Sequence, residues 1–136
     1  MTPLIISRLD YQRLKMWADR AKTEFRFSNV HFDQLLRNAG QATMLEPEQI
    51  PADVVTMNSR ISLCYLKDNQ TKEIQLVYPE RADITHNRIS IFAPIATTLL
   101  GCRQGSLAIL NTPNGTVRVR IDKILYQPEA AGDFTL

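Results

Sequence analysis

The residues of this chain whose types could do chemistry are few and poorly grouped. Its 136 residues include two histidines, His31 and His86, and two cysteines, Cys64 and Cys102. A structural zinc site needs about four clustered Cys or His ligands. Here the histidines lie far from both cysteines, and neither cysteine belongs to a Cys-x-x-Cys pair. The cysteines read as small packing residues, and a disulfide has no support without signs of secretion. A Gly-rich phosphate loop, a nucleophile elbow and a His-x-x-x-His pair are all missing from the sequence. Around Glu24 the chain runs Lys22-Thr23-Glu24-Phe25-Arg26-Phe27, with Arg20 just before it. Catalytic magnesium is held by two or more converging carboxylates; one glutamate among cations does not meet that need. Phe25 and Phe27 fit either an exposed contact surface or rings folded back onto neighbouring helices. Arg118, Arg120 and Lys123 make a basic edge, but aromatic residues do not interleave with them as they do on RNA-binding sheets. A solvated strand face is expected there. No catalytic residue, metal or cofactor is expected anywhere in the chain.

Composition narrows the class further. The chain is 44% apolar with a formal net charge of +2, ordinary for a globular domain and too weakly basic to indicate DNA or RNA binding by itself. Residues 1–46 hold seven Lys/Arg against five Asp/Glu, and the remainder is balanced. No apolar run is long enough to span a bilayer. Leu4-Ile5-Ile6, followed by Arg8, is too short for a secretory signal. A cytoplasmic location and no membrane partner are expected.

The elements that must position these residues change character near Glu46-Pro47-Glu48-Gln49-Ile50-Pro51. Two prolines discourage a continuing helix, so residues 1–46 and 47–136 read as two units. Before the connector the apolar period is helical. Ser7 or Asp10 can cap a first helix, whose face carries Tyr11, Leu14, Trp17, Ala18 and Ala21. A second helix carries Phe32, Leu35, Leu36, Ala39 and Ala42. The short connection predicts an antiparallel hairpin, a short coiled coil, of about 20 Å. Such a pair is marginal alone and needs support from the second unit.

After the connector the period is two. Ile61, Leu63 and Tyr65 alternate with Ser62 and Cys64, and Ile74, Leu76 and Tyr78 with Glu73, Gln75 and Val77, with the turn Lys67-Asp68-Asn69-Gln70 between them. Leu107 and Ile109 alternate next. Thr112-Pro113-Asn114-Gly115 signals a hairpin, and Val117, Val119 and Ile121 follow. The phase then slips to Ile124 and Tyr126, which predicts a bulge. The fold class expected is α+β: a helical hairpin, then an antiparallel sheet of about five strands with one short helix. That helix lies in Ile89–Ser106. Ile89 and Ile91 alternate as on a strand, Pro94 suits the first helical position, and Gly101 suits the left-handed residue that closes a helix.

These residues also carry a likeness. Ile89-Ser90, Ala93-Pro94, Leu99-Leu100-Gly101 and Gly105 resemble the signature of the FKBP-like C-terminal domain in the Gre family of bacterial transcript-elongation factors. Asp53–Arg60 and the tail Tyr126–Phe134 resemble one branch of that family. The sequence departs from the Gre pattern at Ala93, where Ser is usual, at Cys102 and Ser106, and at Asn58, which replaces a glycine but tolerates the same left-handed turn. Gre factors place a long coiled coil down the secondary channel of RNA polymerase, with acidic residues at its tip promoting transcript cleavage, while the globular domain grips the rim. The resemblance implies that the grip is kept, at Phe92, Ala93, Pro94, Ile95, Thr97 and Leu100. A short hairpin with the tip Glu24, Phe25, Arg26, Phe27 lacks the acid cluster. The expected function is therefore a non-catalytic RNA polymerase-binding regulator that competes with Gre factors. A transcript-cleavage factor remains open as an alternative, as does a prolyl isomerase, suggested by fold alone.

Overall fold

A computed structural model describes residues 4–23, 30–112 and 115–133. The chain opens on β1 (Ile5–Ser7), passes into α1 (Arg8–Thr23), resumes in α2 (Val30–Gly40) and continues into β2 (Thr43–Leu45). Ser7 starts α1: its hydroxyl accepts the Asp10 N–H at 3.0 Å, satisfying a donor with no partner inside the helix. Leu14, Trp17, Ala18 and Ala21 are buried on the inner face, as their spacing requires. On α2, Phe32, Leu35 and Ala39 are buried. The helix ends at Gly40, so Ala42 falls in the following turn, where its N–H is donated to the Ala39 carbonyl at 3.1 Å. β1 and β2 pair in parallel, Ile5 opposite Thr43 and Ser7 opposite Leu45. Neither strand is readable from periodicity, because three residues are too few to show one.

The main sheet has the order β5-β4-β3-β7-β6, built from β3 (Arg60–Tyr65), β4 (Gln70–Val77), β5 (Arg88–Ser90), β6 (Leu107–Thr112) and β7 (Gly115–Tyr126). Three pairings are antiparallel. The fourth corrects the expectation of an antiparallel sheet: β5 runs parallel to β4, Leu76 opposite Ile89. Two 3-10 turns, Pro79–Arg81 and Ile84–His86, bring the chain back before Asn87, at φ 57°, turns it into β5. The expected bulge is present. Ser62 pairs with Lys123 but Leu63 with Ile121, so Asp122 is skipped; a second slip skips Leu125. β6 departs from its expected phase. Leu107 and Ile109 face outward, while Ala108 and Leu110 are buried.

The short helix α3 spans Pro94–Leu99, with Pro94 at its head. One continuous core joins all these parts: Leu14, Trp17, Phe32 and Leu35 of the helical pair pack in the same cluster as Met57, Ile61, Leu76, Leu99 and Ile121. The fold is thus α+β. Among the described residues no helix is long and apolar enough to cross a membrane.

Candidate partner-binding site

The segment Phe92–Leu100 is held rigidly. Ser90 begins it: its carbonyl accepts the Ala93 N–H at 2.9 Å and its hydroxyl accepts the Phe92 N–H at 3.1 Å. Ala93 is extended, at φ −74° and ψ 141°, as a residue before proline prefers. Pro94 is exposed. Its carbonyl accepts both the Thr97 hydroxyl at 2.8 Å and the Thr98 hydroxyl at 2.9 Å. Gly101 ends the segment at φ +83°. Its N–H is donated to the Val55 carbonyl at 2.9 Å, and its carbonyl accepts the Ile5 N–H at 3.3 Å. A Cβ at this glycine would meet the Ile5 carbonyl oxygen and the Leu4 Cβ, both at 3.3 Å. The glycine therefore serves close packing against β1 as well as the helix end.

Five of the six residues expected to meet a partner lie together at this edge: Phe92, Ala93, Pro94, Ile95 and Thr97 are exposed or half-buried. Leu100 is a correction. It is 1% exposed and packs into the core, so it supports the segment from below and presents nothing to a partner. Phe92 is also more than a surface residue. Its ring meets Phe32 edge-on with centroids 4.9 Å apart, and Trp17 at 6.4 Å. Both helices of the N-terminal pair thus brace the segment. The tip residues Glu24, Phe25, Arg26 and Phe27 lie outside the described residues.

The two stretches Asp53–Arg60 and Tyr126–Asp133 prove to be one unit. Gln127 donates its side-chain amide to the Pro51 and Val54 carbonyls at 2.8 and 2.6 Å. The Thr56 hydroxyl is donated to Glu129 at 2.9 Å, and Thr56 and Ser59 share a hydrogen bond at 2.8 Å. Tyr126 donates its hydroxyl to Asp133 at 3.0 Å, and Arg103 makes a forked ion pair with Asp53 at 3.1 and 3.0 Å. Within the first stretch Asn58 takes φ 65°, in the turn that leads into β3. Phe134 lies outside the described residues.

This unit receives Asp10 from α1. The Asp10 carboxylate, 4% exposed, accepts the Met57 N–H at 3.1 Å and the Tyr78 hydroxyl at 3.3 Å. Burial, reinforced by the Glu129 carboxylate, pushes its pKa up to about 7, against the pull of the Met57 amide and Arg13. Burial also raises Glu129, and burial together with Asp10 raises Tyr78. Sequence reasoning saw Asp10 only as a possible cap. The signal that finds it is its phase, since it shares the buried helical face with Leu14, Trp17 and Ala21.

Among the described residues the remaining candidates are not brought together. His86 Nδ1 lies 2.6 Å from Asp83 on the surface, and that hydrogen bond holds the Asp83 carboxyl below its ordinary range. The side chain of His31 lies outside the described set. Cys64 is buried and free. The half-buried Cys102 thiol is pushed up by burial, which keeps it protonated and a weak nucleophile. Arg118, Arg120 and Lys123 are exposed, with Arg120 paired to Asp122 at 2.6 Å. Among the described residues no three of His, Cys, Asp or Glu gather to hold a metal ion.

Comparison with known proteins bears on the sheet and α3. Residues 50–126 match the family "Transcription elongation factor, GreA/GreB, C-term". The chain is 38% identical to the regulator of nucleoside diphosphate kinase of Escherichia coli K12, across 98% of this chain and 96% of that protein. It is 30% identical to the transcription elongation factor GreA of Shouchella clausii, across 78% of this chain and 67% of that one. Among solved structures, the GreA/GreB elongation factor of Nitrosomonas europaea superposes with a TM-score of 0.77 at 33% identity, covering 93% of this chain and all of that one.

Proposed function

Since the chain belongs to the GreA/GreB family of transcription elongation factors, we propose that it is a regulator that binds RNA polymerase at the rim of the secondary channel, competes there with Gre factors and performs no chemistry itself. The observation that carries this reading is the family match over residues 50–126, which takes in the whole main sheet and the exposed head of α3. In this reading the sheet with α3 is an FKBP-like docking head acting in the cytoplasm. Pro94 presents a backbone whose conformation is already fixed, which lowers the entropy lost on association. The helical pair is a short coiled coil. With 16 residues in α1 and 11 in α2, its longer arm reaches about 24 Å at 1.5 Å per residue, and Glu24 is the lone carboxylate of its tip.

Competition on purified polymerase tests the reading. Increasing amounts of this protein should displace a cleavage-competent Gre factor. The double substitution Pro94→Glu with Thr97→Glu should weaken that displacement about ten-fold or more, the loss of about 1.4 kcal/mol of contact, while the thermal melt stays unchanged. Backtracked complexes should show no magnesium-dependent shortening of RNA. Displacement indifferent to the double substitution would remove the docking assignment, and cleavage lost in Glu24→Ala would remove the non-catalytic one.

A further inference from the structure

The outward turn of β6 creates a surface that the polymerase reading does not use. Leu107 is 65% exposed and Ile109 58%. Both lie on the last strand of the sheet, beyond which no strand pairs among the described residues. Their backbone groups face the same open edge. Antiparallel neighbours alternate between residues that bond across the pair and residues that bond away from it. Arg118, opposite Ile109, turns its carbonyl away from β6 to accept the Leu66 N–H at 3.1 Å. Ile109 must then turn its own N–H and carbonyl away from β7, and Leu107, two residues earlier, does the same. Among the described residues nothing pairs with these backbone groups, so open hydrogen-bonding groups and exposed aliphatic side chains belong to the same residues. Proteins ordinarily protect such an edge with charge, proline, a bulge or a covering segment.

The charge beside this edge selects the occupant. Arg120 is opposite Leu107 and Arg118 opposite Ile109, so both guanidinium groups stand on the same face as the aliphatic pair. Arg120 is partly neutralised by Asp122. Arg118 is exposed and has no ion-pair partner among the described residues. A strand added to β6 would lie about 10 Å from β7, two strand spacings, within joint reach of arginine and glutamate side chains. Leucine and isoleucine offer no flat ring on which a nucleic-acid base could stack. A second copy of the chain would bring the same two arginines, and its nearby carboxylate, Asp122, is already engaged by Arg120.

We propose that β6 is a docking edge for an extended acidic segment of a partner protein. The segment joins the sheet as a sixth strand, sets apolar side chains beside Leu107 and Ile109, and directs carboxylates toward Arg118 and Arg120. Main-chain bonds supply affinity, and the flanking side chains supply the choice of partner.

An NMR titration of the full chain with a short synthetic peptide alternating valine and glutamate tests the proposal. The amides of Leu107 and Ile109 should shift saturably. Affinity should fall about ten-fold in Ile109→Lys and several-fold in Arg118→Glu, in keeping with the loss of an interface anchor and of a rim charge. Ile109→Thr, which keeps a β-branched side chain, should weaken binding too and guards against misfolding of the lysine variant. The Pro94→Glu, Thr97→Glu protein should bind the peptide normally, which separates this edge from the polymerase assignment. No shift along β6 would overturn the proposal. So would equal binding of a valine–lysine peptide, or stronger perturbation of the same amides by a single-stranded oligonucleotide. A dimer seen by sedimentation and abolished by Ile109→Lys would make a second copy the occupant and equally overturn it.

Discussion

The seam between the helices and the sheet and the open edge of β6 depart from the usual distribution of side chains in opposite directions. At the seam a carboxylate, Asp10, is buried and every polar partner is provided: the Met57 amide, the Tyr78 hydroxyl and the Thr56–Ser59–Glu129 chain of hydrogen bonds behind them. At the edge two large aliphatic side chains are exposed, beside backbone that pairs with no further strand among the described residues. A buried polar group costs stability unless its partners are in place, so the seam works only as a complete set. An exposed aliphatic pair costs the folded state little, because it gains nothing on unfolding. The first region therefore reports on how the molecule is held together, and the second on what it meets.

Substitutions can break or sharpen this contrast. The largest effect is expected at the seam's apolar side. Phe32→Ala removes the ring that braces Phe92 and should cost about 3–5 kcal/mol, the usual range for truncating a buried aromatic, read as a fall in the urea midpoint at constant slope. Next comes pH. Asp10 is raised from 3.8 to about 7 on folding, so the folded state binds its proton more tightly than the unfolded chain does. The resulting stability is fully present below pH 4 and is lost as pH rises through about 7; Glu129 shifts in the same direction. The span attributable to Asp10 is at most about 4 kcal/mol, at about 1.4 kcal/mol per pKa unit. Asp10→Asn, which cannot titrate, should flatten the dependence of the urea midpoint on pH across that window. An unchanged slope would show that the seam is not sealed from water. The smallest effect belongs to β6. Ile109→Lys or Leu107→Lys should change stability by no more than about 0.5 kcal/mol, as for surface positions generally, and a calorimetric scan would show it. A loss of several kcal/mol there would mean that these side chains are packed after all.

What could be read from the sequence follows the same divide. Helix α1, the head of α3, the β3–β4 turn and the bulge in β7 were legible because each leaves a local mark: a cap, a proline, an Asp-Asn turn, a change of phase. The phase of β6 was not. Leu107-Ala108-Ile109-Leu110 is an unbroken apolar run, so the alternation of Leu107 and Ile109 has no polar residue to say which face is the inner one. The fold chose Ala108 and Leu110 instead. The parallel direction of β5 was equally hidden, since alternation marks a face and says nothing of direction. Of the segment Phe92–Leu100, the sequence marked the head at Pro94 but gave no sign that Leu100 is buried, because that burial depends on elements distant in the chain. Asp10 reads as a cap because the groups that bond it, Met57 and Tyr78, lie 47 and 68 residues further along the chain.

The bond between Ile5 and Gly101 has a consequence for how the protein is made. Synthesis delivers the amino end first, at about 5–20 residues per second. Yet the surfaces that receive that end, Gly101 and the ring of Phe92, are among the later parts to leave the ribosome. The nascent helical pair waits for seconds with its apolar stripe uncovered, and only when the chain around Phe92 and Gly101 has emerged can it and the first strand complete their contacts.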